Sequence, residues 1–294
     1  MKKSLIALAA LAAVSAASAQ STVTLYGVVD VGYTTQNSTT AMKSDGLSNN
    51  RIGFKGTEDL GGGLSALFVV ETAFNSAAST ATSIGSRGAF VGVAGGFGTV
   101  TMGAGQLTPS FYATAATNAV AADNYGLKQY AGASRVNNVV NYTSPTILGG
   151  LTLRGAMIQK ADNGTAAKAS SDISAIYANG PLTVTASAAD NGVDKGTYVG
   201  AAYDLGMVKV FASQADTAGS TSGAKNKFTN FGASVPVNAA LTLAAEYSQA
   251  KVADTNTYLL SAQYALSKRT TAYAYTSKAE KKDSLVGFGV RHTF

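Results

Sequence analysis

The chain has 294 residues, 46% of them hydrophobic and 13% charged, with a formal net charge of +6, no cysteine and one histidine. Without cysteine there is no disulfide scaffold, thiol nucleophile or thiolate metal site, and His292 alone cannot build a histidine-based metal centre. Among the strands lysines and arginines are scattered singly, which suits a solvated surface or a water-filled interior better than a nucleic-acid partner.

In chain order, Lys2 and Lys3 precede an unbroken apolar run from Leu5 to Val14, and small residues then end in Ala17-Ser18-Ala19. That order predicts a secretory signal over 1–19, cut before Gln20. The alternative, an anchor helix, is disfavoured because 4–19 is short and Ala/Ser-rich for a span that needs about 20 apolar residues. From Gln20 to Phe294 the apolar residues come in short pieces with period two. In 181–189, Leu182, Val184, Ala186 and Ala188 share one face, and Thr183, Thr185 and Ser187 the other. In 241–248, Leu241, Leu243, Ala245 and Tyr247 oppose Thr242, Glu246 and Ser248, and 257–267 places Tyr258, Leu260, Ala262, Tyr264 and Leu266 together. A helix would scatter these residues around its circumference, so each piece reads as a strand. In 269–277, Tyr273 and Tyr275 oppose Ala272 and Ala274, and the pattern leaves open which face turns outward.

Tight-turn signals fall at 58–63, 95–98, 144–150, 179–181, 204–206, 236–238 and 267–268, interleaved with polar stretches near 36–49, 75–85, 106–133, 160–171, 190–196, 215–226, 251–256 and 278–283. This punctuation predicts sixteen antiparallel strands, with fourteen as the alternative count. Short turns on one rim and long loops on the other are the pattern of an outer-membrane β-barrel. A bilayer admits only helices and closed barrels, because every backbone polar group must be paired within the protein. A soluble sandwich would need bulkier inner-face residues than the many Ala, Gly and Thr available here.

The last strand alternates Val286, Phe288, Val290, His292 and Phe294 against Leu285, Gly287, Gly289, Arg291 and Thr293. Its exposed edge would be an aggregation hazard unless closed by another strand. Five stretches then carry a family resemblance: Val23-Thr24-Leu25-Tyr26-Gly27-Val28-Val29-Asp30, the run from Arg51-Ile52-Gly53-Phe54 to Leu60-Gly61, Gly96-Phe97-Gly98-Thr99-Val100-Thr101, Arg135-Val136-Asn137-Asn138, and Val290-Arg291-His292-Thr293-Phe294. In this order they resemble the general porins of beta-proteobacteria. The resemblance implies a homotrimer of sixteen-stranded barrels in the cell outer membrane, in contact with lipid and lipopolysaccharide. It also implies a third loop folded into each pore as a constriction, and a Phe294 read by the barrel-assembly machinery. Two departures stand out: the chain is short for the family, and Ala104 follows Gly103 where these porins often carry Arg.

A pore needs no catalyst or cofactor, only a water-filled lumen, a constriction and a field across it. Alternation turns Tyr26 and Asp30 inward on the first strand, Arg51 and Lys55 on the second, and Glu71 on the third. It does the same for Arg135 on the sixth, Arg154 on the seventh and Arg291 on the sixteenth. A charge facing lipid at mid-membrane costs about 2–4 kcal/mol, which supports these placements. In the constriction loop, 106–133, the acid is Asp123 and the base Lys128. The bases outnumber the acids, so passive transport of small hydrophilic solutes and ions with a weak anion preference is expected. The alternatives are a substrate-specific channel, which would show an aromatic track or repeated binding groups, and a plugged structural or adhesive barrel. An enzyme is not expected. A Ser–His pair would require His292, which lies on the outward face. Glu58-Asp59 sits in a turn, and Gly61-Gly62-Gly63 lacks the Lys-Ser/Thr of a phosphate loop.

Overall fold

The computed structural model describes residues 22–79, 82–120, 122, 125–160, 169–217 and 226–294. The expected signal segment, 1–19, and Asp123 lie outside the described residues. The elements run β1 (Thr22–Gln36), β2 (Thr39–Ser44), β3 (Arg51–Gly61), β4 (Leu64–Ala73), β5 (Gly88–Gly95), β6 (Gly98–Ala104), β7 (Gln106–Leu107), α1 (Pro109–Ala116), β8 (Arg135–Val136), β9 (Val139–Thr143) and β10 (Leu151–Ile158). They continue as β11 (Ser170–Asn179), β12 (Leu182–Asp190), β13 (Lys195–Asp204), β14 (Lys209–Thr217), β15 (Asn226–Pro236), β16 (Leu241–Ala250), β17 (Thr255–Ala265), β18 (Thr270–Ala279) and β19 (Leu285–Thr293).

Sixteen of these strands close into one antiparallel barrel, so the higher of the two expected counts holds. Each strand pairs with its neighbour in sequence, and β1 closes the ring against β19, from Val28↔Thr293 to Thr35↔Val286. On its other side β1 divides its length: Thr22 to Val28 pair with β3, and Val31 to Gln36 pair with β2. β2 is therefore a hairpin extension of the first long loop, and β7 and β8 form a small separate ribbon inside the third. The last residue completes the seam. Phe294 N–H donates to Gly27 O at 3.1 Å, Gly27 N–H donates to Phe294 O at 3.0 Å, and the Phe294 ring lies against Gly27.

Period two decides the faces. Val91, Val93, Phe54, Leu260 and Phe288 stand exposed on the outside, as residues that meet lipid must. On β12, Leu182 and Val184 point out, while Thr185 and Ser187 are buried inward. The structure fixes the face that the pattern on β18 leaves open. Tyr273 and Tyr275 turn inward and are buried, whereas Ala274 is exposed. They pack with Leu259, with Leu47 from the first long loop, and with Val120, Ala122 and Tyr125 from the third. The barrel therefore has a core on one side of its lumen, made of inward wall residues and two loops folded onto them.

Candidate functional site: a constriction built by the third loop

The third long connection, residues 105–138, leaves β6 and runs across the lumen before rejoining the wall at β9. Thr108 caps α1, accepting from Phe111 N–H at 3.2 Å and donating to Ala133 O at 2.7 Å, and Pro109 opens the first turn. The helix packs against β11, β12 and β13. Buried wall groups then fasten the loop in succession. Asp172 on β11 accepts from Ser110 N–H at 3.0 Å and from Ser110 Oγ at 2.8 Å. Thr117 Oγ1 lies 2.8 Å from the Tyr198 hydroxyl on β13, where Gly200 has no Cβ to collide with that threonine. Glu246 on β16 accepts Val120 N–H at 2.7 Å on Oε1 and Leu127 N–H at 2.8 Å on Oε2. Tyr125 then stacks on Tyr275 with ring centroids 4.1 Å apart. Burial pushes the Tyr125 hydroxyl well above its ordinary pKa, so it remains neutral. The opposite half of the lumen stays open as a cavity of about 450 Å³, between the loop and a wall running from β1 through β10.

Among the described lining residues of that cavity, Glu71 is the one acid and Arg135 and Arg154 are the bases. Glu71 is heavily engaged. Its Oε1 lies 2.8 Å from Arg87 Nε and 3.5 Å from Arg135, and its Oε2 accepts from the Tyr26 hydroxyl at 3.0 Å. Arg135 donates to Arg87 O at 2.8 Å and to Gly105 O at 2.6 Å. Burial and the charge of Arg87 lower its pKa and Glu71 raises it, and a guanidinium so far above neutrality stays charged. Arg154 donates to Thr143 Oγ1 at 2.8 Å and lies 3.9 Å from the centre of the Tyr112 ring on α1. No carboxylate pairs with Arg154 among the described residues.

Several placements refine the sequence expectations. Tyr26, Arg51, Lys55, Glu71 and Arg154 turn inward, and Lys55 Nζ sits 5.3 Å over the Tyr26 ring. Arg135 is not on the sixth wall strand. It lies on β8, inside the third loop, because β7 and β8 pair there before β9 joins the wall. Asp30 points inward but lines no open space, being fully buried. Its carboxylate accepts from Ser48 N–H at 2.7 Å and from the Tyr273 hydroxyl at 2.6 Å, so the first long loop seals it. Arg291 pairs in register with Asp30 and reaches Thr271 at 3.1 Å and Ser48 at 3.4 Å, away from the cavity. Ala104 pairs with Ala89, which alternates with the outward Val91 and Val93, so that position faces away from the lumen. Sequence reasoning passed over Arg87, Tyr112, Asp172 and Glu246. The one available signal was Asp172 and Glu246 on the inward, polar faces of their strands.

A closed sixteen-stranded barrel with lipid-suited exterior and a loop-narrowed, charged lumen is a transmembrane channel. The Gram-negative porin family profile matches residues 7–284, and the chain belongs to that family. It is 32% identical over 319 aligned positions to outer membrane porin protein 32 of Delftia acidovorans, covering 97% of this chain and 91% of that protein. A shorter stretch of 115 positions is 43% identical to major outer membrane protein P.IB of Neisseria gonorrhoeae, covering 35% of this chain and 32% of that one. Among solved structures, the anion-selective porin from Comamonas acidovorans superposes with a TM-score of 0.70 at 24% identity, over 94% of this chain and all of that one. An engineered Rhodopseudomonas blastica porin gives 0.75 at 18% identity, over 93% of this chain and all of that one. The protein is an outer-membrane porin, a multi-pass β-barrel.

Proposed function

We propose that this porin passes small hydrophilic solutes and ions without catalysis, with a weak preference for anions. One observation carries the sign of that preference. The inward acids Asp30, Asp172 and Glu246 are buried beneath loops, while Arg135 and Arg154 line the open cavity and Glu71 is held by Arg87. Negative charge is spent on fastening the constriction, and positive charge is left facing the path. The likeness to a solved anion-selective porin supports the same sign. Single-channel recording in a planar bilayer separates this function from its rivals. Large ohmic steps are expected; small saturating currents would indicate a substrate-specific channel, and no conductance a structural barrel.

Export is proposed to remove residues 1–19, and three barrels to assemble through outward apolar residues near the seam such as Leu25, Val29 and Val31. Protein from outer membranes is then expected to have an intact mass starting at Gln20, and to run in detergent as a trimer until heated. A species retaining Met1, or only monomer in unheated and crosslinked samples, would contradict this. Lipopolysaccharide and the barrel-assembly machinery are the further proposed partners. Deleting Phe294 removes both seam hydrogen bonds to Gly27 and a partly buried ring worth up to about 1.5–3 kcal/mol. Folded barrel recovered from membranes is expected to fall severalfold on deletion while the conductance of surviving pores is kept. An unchanged yield would remove Phe294 from assembly.

A further inference from the structure

Alternation on a porin wall normally puts polar residues inward. Some inward apolar residues of this barrel, such as Leu259, Tyr273 and Tyr275, are covered by loops. Others are not. Leu67 and Val69 on β4 and Phe90 on β5 line the open cavity and remain partly exposed to it. They are contiguous, because Val69 pairs directly with Phe90, and Leu67 stands opposite Gly92, which carries no side chain. Leu107, Pro109 and Tyr112 of the third loop line the same space. The strip is flanked by cations. Arg135 lies at Glu71, two residues along β4 from Val69, and Lys55 pairs with Val69 from β3. Arg154 with its Tyr112 contact borders the same cavity.

Resting on the anion-preferring pore proposed above, we infer that this cavity is a binding site for amphipathic organic anions, monocarboxylates with an aromatic or branched apolar body. The carboxylate is held by Arg135 or Arg154, and the apolar body lies on Leu67, Val69 and Phe90. An inorganic anion or acetate gains only the charge term, whereas a ring also removes this strip from water. A cavity of about 450 Å³ accommodates one such molecule with room for water beside it. The site then acts as a shallow trap within a diffusion pore, raising occupancy by one solute class.

The test is the chloride current through single pores in KCl with benzoate, acetate or benzylammonium added. Benzoate is expected to reduce the current at about tenfold lower concentration than acetate, the size of effect that partial burial of a ring gives. Benzylammonium is expected to lack this potency, because its charge has the wrong sign. In Val69→Thr with Leu67→Asn, which keep side-chain shape, the benzoate-to-acetate ratio is expected to fall towards one, and in Phe90→Ser likewise. Equal potency of benzoate and acetate on the wild type would overturn the site, as would a ratio unchanged in these variants, or equal potency of benzylammonium. These failures are distinct from failure of the pore itself. A wild type without anion preference in KCl alone would contradict the proposed function, whereas an anion-preferring pore indifferent to the apolar body would contradict only this inference.

Discussion

Replacing both Asp172 and Glu246 by Ala is expected to release the third loop from the barrel wall, raising mean conductance and open-channel noise together. Glu246 is the acceptor for two backbone N–H groups, of Val120 and Leu127, and Asp172 takes both the backbone and hydroxyl protons of Ser110. Each buried donor left without a partner costs about 1–3 kcal/mol, more where the acceptor was charged. Of the other fastenings among the described residues, Thr117 on Tyr198 and Tyr125 on Tyr275 are neutral, and Arg135 holds the far end of the loop to Glu71 and to Arg87 O. Glu246→Gln is expected to do less, since one oxygen still accepts while the amide NH2 faces the second N–H. A double Ala variant with wild-type conductance and noise would show that these carboxylates do not position the loop.

The second large effect concerns selectivity. Arg154→Ser is expected to lower the anion-to-cation permeability ratio, and adding Arg135→Ser to lower it further, by about fivefold or more in all. A guanidinium about 6 Å from a passing ion contributes roughly 1–3 kcal/mol at effective dielectric constants between those of the protein surface and water. Salt screens part of this, with a Debye length of about 10 Å at 0.1 M. Arg154 is the cleaner substitution, because among the described residues it holds Thr143 and the Tyr112 ring, while Arg135 also ties the loop to Arg87. Arg291→Ser serves as the contrast. Its partners Ser48 and Thr271 place it outside the cavity, so its effect on permeability is expected to be smaller than that of Arg154→Ser. A larger effect from Arg291 than from Arg154 would mean that ions pass elsewhere in the lumen.

The barrel was legible in the sequence because a strand's two faces see different solvents. Leu182 and Val184 against Thr185 and Ser187 is a pattern that only period two produces, and six of the seven tight connections carry a Gly, Pro or Asn, Ser267-Lys268 being the exception. The same contrast fails on β18, where Tyr273 and Tyr275 face inward and are kept dry by Leu47, Val120 and Tyr125 from distant loops. The candidate site was legible only in part for the same reason. Glu71 and Arg154 follow from alternation on wall strands. Arg87 sits just before β5, and Glu246 binds backbone N–H groups more than a hundred positions away, which no local pattern records. Asp30 shows the converse. Alternation gave its direction, and the loop that seals it could not be read from its own strand.

The most direct measurement is the reversal potential of the wild-type pore under a KCl gradient, at low and at high mean salt. A potential of the sign set by chloride, shrinking as salt rises, is the predicted result, because Arg135 and Arg154 line the cavity while Asp30, Asp172 and Glu246 are fastened under loops and Glu71 is held by Arg87. A potential of the sign set by potassium at either salt would contradict it.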